Sequence, residues 1–245
     1  MMTNDAFDIS TFSLSDMTRC GVELRKQGEN AKSMEEVAGR VVHLLHEKLR
    51  SASGERACAL VRTFVTLPYG ELQPGQQEFA RTLLPDIART PDVKCLTLLA
   101  TAGEESAWNS RRTSLGHQAL PLQSEESIAR SPMISQLIRQ LNIDVSLLLR
   151  PNADVMIDQS QHTFNVFHVP DAVDSPIIPA QSEFVKPFGV RSVLGFGGLL
   201  LPGELFATIL FARTPISRDV AERFKTLALN VKVALLPFTG ERVFS

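Results

Sequence analysis

No stretch of this chain reaches the roughly 18 consecutive apolar residues that a membrane span needs. The N-terminus, "MMTNDAFDIST", lacks the basic and then apolar sections of a secretion signal. Cysteine is scarce: Cys20, Cys58 and Cys95 are an odd number at unrelated spacings. That argues against a disulfide framework or a zinc site, and for inert buried thiols in a reducing cytoplasm. An excess of one charge is missing too. With 25 basic and 27 acidic residues the formal net charge is -2, which gives no field to gather nucleic acid or anionic lipid. HExxH, paired CxxC, GxSxG and the Walker sequence are all absent, and no spacing singles out a nucleophile with its base. The expectation is therefore a protein with no catalytic residues, no metal, no nucleic-acid partner and no membrane.

Apolar residues are plentiful. They make up 44% of 245 residues and run from end to end, enough for a sizeable core. Residues 1–14 read as a flexible leader and 239–245 as a tail. Between them, 15–238 form one domain with an N-terminal helical extension. A helix spans Ser15 to about Lys26. A second begins at Ser33, where Ser33 and Glu36 have the spacing of a capping box and Val37, Val41, Leu44 and Leu45 mark one stripe. His43 and His46 fall on the opposite side. Their i, i+3 spacing is half a metal site with no third ligand nearby, so both read as solvated surface.

"ACALVRTFVTL" (57–67) and "VKCLTLLATAG" (93–103) read as strands, separated by a helix over "GQQEFARTLLPDIA" that breaks near Pro85. Ser131 and Pro132 open another helix, with Ile134, Leu137, Ile138 and Leu141 on its buried face. "HTFNVFHVPDA" (162–172) is a third strand, on which His162, Phe164, Val166 and His168 share a face by parity. The terminal helix starts at Ser217, carries Val220, Phe224, Leu227, Val231 and Leu235 on its apolar side, and stops at Pro237.

"SVLGFGGLLLPGELFATILFA" (192–212) places glycines inside an apolar run. A phosphate loop would open directly into a helix N-terminus, and this segment instead continues into residues suited to strands. It reads as a β-hairpin turning at "LPGE", with Pro202 second and Gly203 third in the turn. Gly195, Gly197 and Gly198 mark a bulge, or a face where a backbone or a ligand comes close.

The densest set of recognition groups is in "EESAWNSRRTSLGHQALPL" (104–122), a loop long enough to be more than a connector. Arg111 and Arg112 offer guanidinium forks for a carboxylate or phosphate, and Trp108 offers an apolar wall. Ser114 and His117 add polar groups, and Gly195 and Gly197 leave room against the sheet. The plainer alternative is a surface loop with Trp108 as a packing plug. His117 is also placed to serve as a proximal haem ligand, or as an ordinary structural histidine. Glu104–Glu105 and Glu125–Glu126 read as solvated surface.

The strings "FNVFHVPDA…SPIIPAQSEFVKPFGVRSVLGFGGLL", "ELFATILFARTPI" and "FKTLALNVKVALLPF", with "WNSRRTSLGHQALPL" and "SPMISQLI", resemble the GAF-like input regions of bacterial signalling proteins. The resemblance covers roughly residues 15–238. It implies an α+β fold, a GAF/PAS-like central antiparallel sheet flanked by helices, with long N- and C-terminal helices. It also implies a cytoplasmic sensory module that binds a small molecule of unknown identity, and no ligand residues carry over from it. The chain ends at Ser245 with no kinase or cyclase module, so output would pass through a partner such as a histidine kinase, or through a homodimer built on helices 34–50 and 217–236. Two other readings stand beside it: a protein-interaction scaffold with a self-filled pocket, and a haem-based gas sensor. No cysteine lies in a bilin-attachment motif, which argues against a photoreceptor.

Overall fold

The computed structural model describes residues 6–114, 116–150, 165–201, 203–240 and 242–245. Its centre is a six-stranded sheet, antiparallel at every pairing, in the order β5-β4-β3-β8-β7-β6. The strands are β3 (Cys58–Pro68), β4 (Lys94–Gly103), β5 (Ala119–Pro121), β6 (Asn165–Val169), β7 (Ser192–Leu199) and β8 (Leu205–Ala212). Helices cover both faces, so the α+β architecture implied by the resemblance is the one the chain builds. The third strand begins at Asn165; His162 and Phe164, expected on it, lie outside the described residues.

One face carries α1 (Leu14–Lys26), α2 (Met34–Lys48) and the long α7 (Arg218–Leu235). Each starts where a hydroxyl can satisfy a free amide. Ser13 and Asp16 form a capping box, and Ser217 Oγ accepts from the Val220 amide. Ser33 caps α2 as expected, but Glu36 reaches the amide of Lys32 at 2.8 Å instead of that of Ser33, so the box is not closed. The predicted stripe of α7 is buried here. Phe224 is fully buried, with ring centroids 4.9 Å from Phe12 and 5.8 Å from Phe196.

The expected flexible leader is corrected from Ala6 onward. Phe7–Asp8 form β1, paired in parallel with β2 (Leu49–Arg50), and Phe7, Ile9 and Phe12 are buried in the core under α7. Phe7 pairs with Leu49 and Phe12 packs on Phe224, partners that local pattern does not reveal. The tail also docks: the amides of Met34 and Glu35 donate to the carbonyls of Arg242 and Val243 at 2.9 Å.

The other face is covered by α4 (Glu125–Ala129), α5 (Pro132–Gln140), α6 (Val145–Leu149) and the segment 170–190, which includes a π-helical turn at Gln181–Val185. The remaining helix, α3 (Pro74–Leu83), lies by β5, where Gln76 Nε2 donates to the Leu98 carbonyl at 3.2 Å. In β4 the pairing skips Leu99, a bulge that changes which side chains meet each face.

The glycine-rich run is a hairpin, and its register is continuous on both sides. The bulge considered for it is absent from β7. A Cβ on Gly197 would stand 2.1 Å from the Phe206 carbonyl oxygen, and one on Gly195 would meet Ile209 Cδ1 at 2.6 Å. The close approach is therefore by the neighbouring strands. The turn is also displaced by one residue: the Gly203 amide donates to the Leu200 carbonyl at 2.8 Å, so Gly203, at φ 133°, closes the turn as its fourth residue. Pro202 lies outside the described residues.

His46 is a second correction. Only 3% of it is exposed, between the end of α2 and the neighbourhood of Arg56 and Glu104, and its Nε2 has no partner among the described residues. His43 is exposed as expected. Desolvation holds the imidazoles of the buried His46 and His168 below the ordinary histidine value of 6.5. An unfolded chain takes up protons near pH 6.5 while these folded imidazoles do so only at lower pH, so stability falls as pH drops through that window. The melting temperature at pH 5.5 is expected below that at pH 7.5, and His46→Gln should flatten the difference. An unchanged difference would remove His46 from that account.

Candidate functional site

Between the second face of the sheet and its cover lies a cavity of about 240 Å³. Its floor is the middle of the sheet, including Leu60 and Phe64 of β3 and Ile209 of β8. Its cover comes from loop 104–118, from Met133, Ile134 and Leu137 of α5, and from the chain leading into the π-helical turn. Trp108 forms one wall with Phe184, their centroids 5.5 Å apart, and Phe184 packs edge-on against Phe211 at 5.1 Å. The indole is thus both packing element and wall. A wider, shallower groove of about 700 Å³ runs over Arg89–Lys94 and Leu122–Glu125, but it is open and mixes both signs of charge.

The predicted candidates separate in space. Trp108 and His117 line the cavity, His117 as an exposed residue with φ 57° at its opening. Ser114 is fully buried beside it, hydrogen-bonded at 2.6 Å to Arg62. Arg111 points elsewhere: its Nε donates to Glu35 at 2.6 Å, its Nη2 to Gln73 at 2.7 Å, and its guanidinium lies 5.1 Å from the Phe244 ring. It ties the loop to α2, to the start of α3 and to the tail. Arg112 is exposed and outside the cavity lining. Gly195 and Gly197 lie on the cavity side of β7, yet beneath Ile209 and against the β8 backbone, so neither lines the cavity.

The residue that local motifs did not reveal is Arg62. It stands at the centre of β3, inside the apolar string "ACALVRTFVTL", with its side chain in the cavity lining and only 8% exposed. Nη2 donates to Ser114; Nε has no partner among the described residues. Burial pulls the guanidinium down to about 10, which leaves it charged at neutral pH. His117 is lowered by desolvation and then by this neighbouring positive charge. A lone basic residue within an otherwise apolar central strand was the available signal.

Glu104 and Glu105 are exposed, as expected, but Glu104 is not free. It forms a bidentate ion pair with Arg213, whose Nε also donates to the Phe188 carbonyl, and hydrogen bonding to Arg213 is the largest influence holding its carboxyl low. The three cysteines are buried and free, and desolvation pushes each thiol up to about 12, so none is an activated nucleophile. No group of three or more His, Cys, Asp or Glu among the described residues is arranged to hold a metal, and no described helix is long and apolar enough to cross a membrane.

No family model matches the chain, and no curated protein does. Solved structures match it at low identity. They include fRMsr of Staphylococcus aureus in complex with substrate (8% identity, 90% of this chain and 95% of that one, TM-score 0.47). A phycoerythrobilin-bound GAF domain from a cyanobacterial phytochrome matches at 11% identity over 91% and 96%, with a TM-score of 0.40. The N-acylhomoserine lactone dependent LuxR-family factor CepR2 of Burkholderia cenocepacia matches at 13% over 93% and 99%, with a TM-score of 0.39.

Proposed function

We propose that this chain is a GAF-like, non-catalytic sensory domain of bacterial signal transduction. It holds a small molecule in the cavity on the second face of its sheet. The observation that carries this reading is the cavity itself: about 240 Å³ of space walled by aromatic and aliphatic side chains, with a few convergent polar groups. A self-filled scaffold would have no such space. The volume also lies under the ~300–1,000 Å³ typical of sites for drug-sized ligands, which argues against a haem and for something smaller.

A ligand acts only through unequal affinity for two conformations. The floor of this cavity is sheet, whereas its cover is loop 104–118, α5 and the segment near Phe184, so occupancy would act on how the cover packs. The relay we propose runs through the terminal helices to a cytoplasmic partner protein or a second copy of the chain. The buried stripe of α7 is already taken by the sheet, so a partner would meet its outer side, where Leu229 and Val233 are exposed, with Val22 of α1 nearby.

The test is native mass spectrometry of protein freshly purified from its own host, beside the variant Ile134→Trp, which fills the cavity from α5. One small molecule per wild-type chain, lost from the variant, is the expected result. The same molecule carried equally by both would move binding elsewhere. If no molecule is retained and no metabolite raises the melting temperature, the interaction scaffold becomes the better account.

A further inference from the structure

We infer that the ligand is a small monoanion, a carboxylate on a compact apolar body, and that Arg62 is the counter-charge that selects it. The inference rests on reading the cavity as a ligand site, and deepens it. A guanidinium carries five N–H donors in a planar fork. Arg62 uses one of them on Ser114, a neutral hydroxyl, and its buried Nε has no partner among the described residues. Among the described residues no Asp or Glu lines the cavity; its other polar liners are His117, Ser131 and the indole of Trp108. Buried charges are ordinarily paired, because an uncompensated one gives up its hydration with nothing in return. Among the described residues that pairing is left open, at the one charged residue that is both buried and in the cavity lining.

The geometry narrows the class. The planar guanidinium fork matches the two oxygens of a carboxylate, which it binds bidentately. One permanent positive charge balances one negative charge, so a phosphate dianion would remain half compensated in an apolar surround. Leu60, Phe64, Leu96 and Ile209 beside Arg62 ask for an apolar body, and the aromatic wall accepts a ring or a short alkyl chain.

Trp108 is the only tryptophan and lines the cavity, so its emission reports binding directly. The probes are phenylacetate and hexanoate, each beside its neutral amide, phenylacetamide and hexanamide. At least one acid is expected to bind ~10-fold or more tighter than its amide, as loss of a charge-assisted pair implies. Arg62→Met should abolish that preference and Arg62→Lys retain part of it. Arg62→Met combined with Ser114→Ala should melt no lower than wild type, because together they remove a buried charge without leaving the Ser114 hydroxyl unpartnered; this separates ligand selection from a structural role. Amides that bind as tightly as acids, with no change in Arg62→Met, would overturn the anion inference and leave the cavity reading standing. Failure of both acids at millimolar concentration would also overturn it. Only failure of acids and amides together would count against the cavity as well.

Discussion

Phe224→Ala is expected to lose about 3–5 kcal/mol of stability, the range for removing a buried phenyl ring. The ring is fully buried and links three parts of the chain that are far apart in sequence: α7, the segment holding Phe12, and Phe196 of β7. Two losses combine. The transfer of the ring from water is forfeited, and the space left behind is bounded by a sheet that does not collapse to fill it. Contacts between aromatic rings add up to ~1.5 kcal/mol beyond area alone. Against a typical total of ~5–15 kcal/mol this is a large fraction, and for a chain of this size it corresponds to a fall in melting temperature of roughly 6–20 °C. Phe224→Leu should recover more than half. A denaturant midpoint for Phe224→Ala within experimental error of wild type would mean that α7 does not sit on the sheet as described.

Arg111→Ala is expected to lose about 3 kcal/mol, the lower end of the ~3–5 kcal/mol seen when one partner of a buried ion pair is removed. The side chains of Arg111 and Glu35 are 7% and 19% exposed, so the carboxylate left behind keeps some contact with water, and this places the loss at the lower end. Gln73 loses its guanidinium donor, and Phe244 loses the cation over its face. The double variant Arg111→Met with Glu35→Leu should restore much of the loss, because an apolar replacement of a buried pair is often neutral. An Arg111→Ala protein as stable as wild type would return this arginine to the pool of free recognition groups.

The sequence was most legible where structure is local. Ser33, Ser131 and Ser217 mark helix starts because a cap acts within three residues, although Ser131 makes no side-chain cap bond. The strands at 58–68 and 94–103 follow from runs of residues too apolar to face water, and the hairpin at 192–212 from glycines without a following helix cap. Partners distant in sequence were hidden. Arg111 and Glu35 are 76 residues apart, so a guanidinium that looked free proved to be a structural tie. Phe7, Ile9 and Phe12 read as a leader because Phe7 and Ile9 are held by Leu49 and Arg50 and Phe12 by Phe224, more than 200 residues later. Of the cavity, Trp108 and His117 were found from loop chemistry. Arg62 carries no local motif, because its meaning comes from isolation within a largely apolar strand and from a cover that lies far away in sequence.

The central claim is that the second face of the sheet encloses open space that a small molecule can enter. A crystal structure determined under xenon pressure tests it most directly, since xenon enters apolar cavities that water leaves empty. The account predicts density for xenon, or for a retained molecule, between Leu60, Trp108 and Leu137, within reach of Arg62. Met133 and Phe184 collapsed into that space, with no density between them, would contradict it.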